Sequence, residues 1–533
     1  MADGVELLAD RWFPDQPGGD RAPILLTRLP YGRGGIDSQI ARLYAERGYQ
    51  VVVVSCRGTF GSGGSWVPWR YEQADGLDVL EWLAVQPWFS GRVGLYGASY
   101  HAYTQWAVAA HLPAWVVSMA PAIKSPKIGR FAFPSPGLLA LESIISWMYG
   151  LEHQQLGLLA KCRALLRARR RTRAAHAALP LTTADVAAVG RRVDWFQDIL
   201  AHPDPDETWW DEINFGRDLA TGPPVSMVTG WYDLFVTDQL ADYQALRAAG
   251  RHARLTVGPW AHTSPGLIAE FIRDTLAWST QHLAGSEGST TDGSCVRVFI
   301  MGSGRWVSLP EWPPPAKYVR WHLHATAVLS PAPAATGQPP RWYRYDPTDP
   351  TPSVGGNSLV TGHNGAKDNR RLEARPDVLT YTTHALAADV TVIGQIRVVL
   401  YVRSTLDHTD FFVRLCDVAP GGRSTNVCDG IVRLAPQDID RQSDDSFAVS
   451  IRMSPTANTF VRGHRIRLQV SGGAHPLYAR NPGSGEAPAI ATTLEAVEHH
   501  VLHGPEHASR IELPVVDLGG RSSVVSAIEH GVM

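Results

Sequence analysis

The chain has little of what marks an unusual environment. It carries five cysteines in 533 residues, Cys56, Cys162, Cys295, Cys416 and Cys428. None stands in a Cys-x-x-Cys pair, and the number is odd. That argues against a disulfide framework and against a zinc site, and it fits a reducing compartment. No basic start followed by an apolar stretch opens the chain, so no secretory signal is expected. No apolar run is long enough to span a bilayer. These absences lead us to expect a cytoplasmic protein with no membrane partner. Lys plus Arg (49) and Asp plus Glu (51) nearly cancel to a net charge of -2, so charge gives no reason to expect a nucleic-acid partner. No cluster of ligand residues appears, and no metal or cofactor is implied. No repeat of fixed period is present.

What remains is an ordinary globular composition, 44% hydrophobic and 19% charged, in a length that predicts two to four domains at roughly 150 residues each. The 18 tryptophans suit large cores and aromatic-lined pockets, because each brings much apolar surface and one donor.

Residues 1–122 alternate strand and helix signals. The run 24–27 is short and apolar; Val51-Val52-Val53-Val54 reads as a parallel strand buried on both faces. Between them 38–48 reads as an amphipathic helix ending at Gly48. A second helix is expected over 69–86, stopped by Pro87. Such alternation predicts a doubly wound α/β sheet, in which ligands sit beyond the C-terminal strand ends. Over 123–220 the strand signals vanish and helices are expected at 138–150, 156–178 and 183–200, an insertion into the α/β unit. The basic run 161–173 reads as a solvated helix face, with the leucines between the charges forming an apolar side. Strands at 225–229 and 254–257, a helix at 267–283 and a strand at 296–301 resume the α/β pattern over 221–325. The Pro-rich stretch 330–340 reads as a linker. From 326 to 533, short alternating runs such as 396–402 and 465–470, spaced by turn residues, predict an antiparallel β-sandwich or jelly roll.

The chemistry concentrates at Gly94-Leu95-Tyr96-Gly97-Ala98-Ser99-Tyr100-His101. An apolar strand leads in and a helical run leads out, so Ser99 sits at the tip of a tight strand-to-helix turn. The usual pattern has glycine on both sides of the serine; here the second position is His101. A serine hydroxyl needs a histidine base, and that histidine needs a carboxylate to hold its tautomer. In α/β hydrolases the three follow the order Ser, acid, His at successive strand ends. Ser99, Asp233 and His262 stand in that order, each just past an expected strand. His262 would take the Ser99 proton, and activity should rise with pH through the titration of that base. One oxyanion donor would be the Tyr100 amide; a second could be Tyr31 in the loop after an early strand, although Tyr31 also reads as a surface turn residue.

These residues, together with Asp3-Gly4-Val5, Pro30-Tyr31, Cys56-Arg57-Gly58, Gly230-Trp231-Tyr232-Asp233, Gly258-Pro259-Trp260-Ala261-His262, Cys428-Asp429-Gly430 and Pro505-Glu506-His507, resemble the X-Pro dipeptidyl-peptidase and cocaine esterase family of serine hydrolases over nearly the whole chain. The resemblance implies an α/β-hydrolase fold with an inserted helical cap and a C-terminal jelly roll. It implies the triad Ser99, Asp233 and His262, and the Tyr31 hydroxyl joining the Tyr100 amide at the oxyanion. It also implies that Phe133, Trp147 and Phe235 line the acyl pocket; by composition, Phe133 and Trp147 serve equally as cap core. Members of the family carry more residues before the Asp-Gly turn, so an edge strand or an upstream start is expected to be missing here. His101 replaces the family glycine and should crowd the helix start or look into the site.

The function expected is hydrolysis of a small-molecule ester or amide through an acyl-enzyme. An esterase is favoured over an X-Pro dipeptidyl-peptidase or β-lactam-type acylase, because no acidic cluster presents itself to hold a substrate amine. An acyltransferase, or a silent binding scaffold of the same fold, are the other readings. The sequence leaves a homo-oligomer open.

Overall fold

A computed structural model describes residues 1–216, 220–283 and 296–518. Cys295 and the extreme C-terminal part of the expected jelly roll lie outside the described residues; the four described cysteines are free thiols.

Nine strands form the first sheet: β1 (Ala9–Trp12), β2 (Ile24–Leu29), β3 (Gln50–Ser55), β4 (Val93–Ala98), β5 (Val116–Ala122), β6 (Val225–Tyr232), β7 (Ala253–Ala261), β8 (Val296–Ile300) and β9 (Arg305–Leu309), in the spatial order 1-3-2-4-5-6-7-8-9. β2 to β8 run parallel, and β1 and β9 close the two edges antiparallel. The order turns back between β2 and β4, the switch point at which such sheets open a crevice.

Period-two alternation explains why these runs are continuously apolar. Leu25, Leu29, Val51 and Val53 point to one face, under Tyr44 of helix α1 (Gly35–Ala45) and under Phe271 and Trp278 of a later helix. Ile24, Leu26, Val52 and Val54 point to the other, under α2 (Glu72–Ala84) and α3 (Tyr100–Val108). Both faces are buried, so neither can be polar.

Every regular element between β5 and β6 is helical among the described residues: α4 (Ile128–Ala132), α5 (Leu141–His153), α6 (Leu158–His176), α7 (Ala184–Val189) and α8 (Asp194–Ala201), with short 3-10 turns. The single helix expected over 183–200 is two. Gly190 takes φ 85° and ends α7, and the Asp185 carboxylate accepts from the Val193 amide at 2.9 Å and the Gln197 amide group at 2.7 Å, fixing the turn. The apolar side expected of α6 is not buried: Leu158, Leu159, Leu165 and Leu166 are exposed, and the buried positions are Ala164 and Ala175.

α9 (Val236–Ala248) connects β6 to β7, and α10 (Pro265–His282) follows β7 and packs on the α1 face. Antiparallel strands then build a second nine-stranded sheet and a four-stranded sheet. Strand Lys317–Leu323 pairs with Arg510–Val515, so the change of sheet precedes residue 326, earlier than the sequence suggested. Ser330 closes a short strand, and 331–340 is irregular. The all-β part holds two buried ion pairs, Arg414–Asp429 and Arg433–Asp410, both at 2.8 Å. It touches the first sheet through the Tyr232 hydroxyl, which donates to the Asn426 carbonyl at 3.0 Å. No helix among the described residues is long and apolar enough to cross a membrane.

Candidate active site

β4 ends at Ala98 and α3 begins at Tyr100, leaving one residue for the turn. Ser99 makes it with φ 58° and ψ −123°, a strained conformation for a residue with a Cβ, held by its surroundings. Its amide donates to the Ala122 carbonyl at the end of β5, 2.9 Å away. Gly97 adopts φ 148°, and a Cβ there would overlap the Cβ of His101. Two side chains cannot occupy that gap, but one can. Gly97 gives the space and His101 fills it, which is why the second glycine is dispensable here. His101 does not look into the site. Its Nδ1 lies 2.9 Å from the Ala98 carbonyl and its Nε2 3.2 Å from Asp37 Oδ1, behind the Tyr31 ring.

Asp233 follows β6 and is fully buried. Its Oδ1 accepts from the Phe235 amide at 2.8 Å, and its Oδ2 lies 2.6 Å from His262 Nδ1. His262 follows β7, and its Nε2 lies 3.0 Å from Ser99 Oγ. An ionised carboxylate only accepts, so the neutral imidazole is assigned the Nδ1 proton, and Nε2 then accepts from the serine. The ends of β6 and β7 approach closely because Gly230 leaves room for the Trp260 backbone and Gly258 for its ring. The register slips between Gly230 and Tyr232, which turns Asp233 toward His262.

The Tyr31 hydroxyl accepts from the Trp147 indole N–H at 3.1 Å, and Tyr31 lines the same cavity as Ser99. Burial pushes its pKa up to about 12, so at neutral pH it is an un-ionised donor. Tyr100 is the first residue of α3, where an amide has no partner inside the helix. The Tyr100 side chain points away from this amide: its hydroxyl donates to Glu72 Oε1 at 2.9 Å and accepts from the Trp69 amide at 2.8 Å. Glu72 in turn meets Arg28 at 2.6 Å, both buried. Burial raises the Glu72 pKa, against the pull of Arg28. A charged network that sequence reading missed thus braces the underside of the turn.

Ser99 opens into a cavity of about 310 Å³. Trp147 and Phe235 line it, as the family likeness suggested. Phe133 does not. It is buried with its ring edge toward Trp210, 6.4 Å between centroids. Phe131, two residues earlier, reaches the cavity instead and sits 5.0 Å from the Phe235 ring. Trp69 stacks on Trp147 at 5.0 Å, and Leu359 reaches in from the all-β part. Lys124, two residues past β5, was also missed. It is buried, yet lines the cavity with its ammonium 4.0 Å from the Phe235 ring centre and 4.7 Å from that of Phe131. Its position could have been found by the strand-end rule that found the other three.

Two family models match the chain. X-Pro dipeptidyl-peptidase (S15 family) spans residues 3–264, and the X-Pro dipeptidyl-peptidase C-terminal non-catalytic domain spans 289–512. The chain is 32% identical over 570 residues to cocaine esterase of Rhodococcus sp. (strain MB1 Bresler), covering 97% of both. The chain belongs to the X-Pro dipeptidyl-peptidase and cocaine esterase (S15) family. Like that family it is a serine hydrolase acting on esters or peptides. In fold it is also similar to an aminopeptidase from a marine sediment archaeon of the Thaumarchaeota (TM-score 0.81, 21% identity, 97% of this chain and 95% of that one). An α-amino acid ester hydrolase matches nearly as well (TM-score 0.79, 22% identity, 97% and 95%). Both place an α/β-hydrolase fold ahead of an all-β region.

Proposed function

We propose that the protein hydrolyses esters of small organic acids through an acyl-enzyme on Ser99. The observation that carries this reading is the unbroken relay Asp233–His262–Ser99, at 2.6 and 3.0 Å, opening on the 310 Å³ cavity. His262 takes the proton as Ser99 Oγ attacks the carbonyl carbon, and Asp233 stabilises the imidazolium that forms. The oxyanion is met by the Tyr100 amide and the Tyr31 hydroxyl. His262 then passes its proton to the departing alkoxide, the acyl group stays on Ser99, and a water activated by the same histidine releases the acid. The cavity holds the acyl group among Phe131, Trp147 and Phe235.

Esters are favoured over peptides with a free amino terminus because the charged residue lining the cavity wall beside Phe235 is Lys124, and a second ammonium there has no carboxylate to meet. The test is a panel of p-nitrophenyl esters, an X-Pro-anilide and an acylamide, run on the wild type and on Ser99→Ala with product analysis in added alcohol. Turnover of esters to free acid, abolished in Ser99→Ala, is expected. Cleavage of the X-Pro-anilide without the esters, or acyl transfer that excludes water, would overturn it.

A further inference from the structure

Lys124 is a buried charged group at the cavity that the mechanism leaves unused. Among the described residues no hydrogen bond or ion pair holds its ammonium. Of the carboxylates that act on it through space, Asp233 is already held by His262 at 2.6 Å, and Asp238 is also drawn to Lys127 and Arg130. Phe235 and Phe131 present ring faces to the ammonium at 4.0 and 4.7 Å, and Tyr103 at 5.8 Å. Rings offer a cation only part of what water does. An ammonium removed from water without an anion in contact is strongly disfavoured. Burial accordingly brings the Lys124 pKa down to about 7, with Asp233 and Asp238 opposing the shift through space. What the side chain lacks is an acceptor, and the open direction is the cavity in front of Ser99.

We propose that Lys124 is a specificity-determining residue that reads a carboxylate on the acyl group, so that the preferred substrates are monoesters of dicarboxylic acids. The ester carbonyl sits at Ser99 while the far carboxylate meets the ammonium between Phe131 and Phe235. The methylenes between them lie against the aromatic walls. This proposal rests on Ser99 being the nucleophile, and it names the substrate class for that site. A charge-assisted hydrogen bond inside an apolar cavity discriminates strongly, because the uncharged analogue leaves the ammonium unmet.

The test compares mono-p-nitrophenyl esters of succinic, glutaric and adipic acid with their ω-methyl diesters, which match them in shape and lack the charge. Within each protein the quantity read is the ratio of kcat/KM, charged over uncharged. In the wild type the ratio should exceed ten for at least one chain length, by about 1.4 kcal/mol per tenfold. In Lys124→Met it should fall by roughly 30-fold or more, the effect of deleting one partner of a buried charge pair. Should Lys124→Met not fold, as judged by its melting transition, the ratio in Lys124→Gln decides. A wild-type ratio near one at every length, or an unchanged ratio in the folded variant, overturns the proposal. If Ser99 is labelled by a fluorophosphonate while the ratio stays flat, only the Lys124 proposal falls. If neither ester type turns over and Ser99 is not labelled, the nucleophile reading falls with it.

Discussion

One wall of the Ser99 cavity is made by backbone geometry at the ends of β4, β6 and β7; the other is made by side chains packed from α4, α5 and the loops that carry Trp69 and Leu359. On the first wall each reacting group is the residue just past a strand whose ladder is hydrogen-bonded on both sides, so the sheet fixes its position. On the second wall the rings hold one another: Trp147 lies on Trp69 and near Tyr100, and Phe131 on Phe235. The first arrangement tolerates almost no substitution of its polar groups. The second should tolerate repacking and change what is bound more than how fast bonds break.

Substitutions can break that contrast. The largest effect is expected on the sheet wall. Asp233→Asn keeps the shape but presents a donor to His262 Nδ1, forcing the wrong tautomer, and kcat should fall by about 10⁴; steady-state kinetics on the best ester checks it, and a loss under tenfold would show that Asp233 does not orient the base. Tyr31→Phe spans both walls, since its hydroxyl meets Trp147 and the residue lines the cavity with Ser99. It should lower kcat by roughly 10² to 10³ with KM little changed; a rise in KM alone would make Tyr31 a binding residue only. The smallest effects on chemistry belong to the aromatic wall, and there the pair Phe131 and Phe133 is the sharpest comparison. Phe133→Ala should cost about 3 to 5 kcal/mol of stability, seen by denaturant unfolding, because its ring is fully packed. Phe131→Ala should instead shift KM across a series of acyl lengths with a smaller stability change. The opposite outcome would place Phe133, not Phe131, at the cavity.

The same contrast decides what was legible beforehand. Ser99, Asp233 and His262 could be located because strand ends are visible as the close of β-branched or apolar runs, and the order of three such ends is a long-range pattern with few alternatives. The layering of helices on the sheet was legible for the same reason: Val51 to Val54 has no polar face to offer water. The helical insertion was visible as the loss of that signal. What could not be seen was which ring in Phe131-Ala132-Phe133 turns inward. That depends on where α4 stops: it ends at Ala132, and Phe133, at its C-cap, turns to extended backbone, so the two rings diverge. Nor could the burial of α6 be read, because its leucines and its alanines fit two different faces and only the neighbouring helices choose between them. His101 looked out of place beside Ser99 in the chain. In three dimensions its Cβ occupies the space that Gly97 vacates, a compensation between positions four apart that a motif read as a string does not express.

The central claim is that Ser99 is a nucleophile made reactive by His262, and covalent labelling tests it most directly. Wild-type protein treated with a fluorophosphonate should gain the mass of one adduct, mapping to the peptide that contains Ser99, and lose ester hydrolysis in proportion; folded Ser99→Ala should gain none. An unlabelled but folded wild type, or an adduct that persists in Ser99→Ala, would contradict the account.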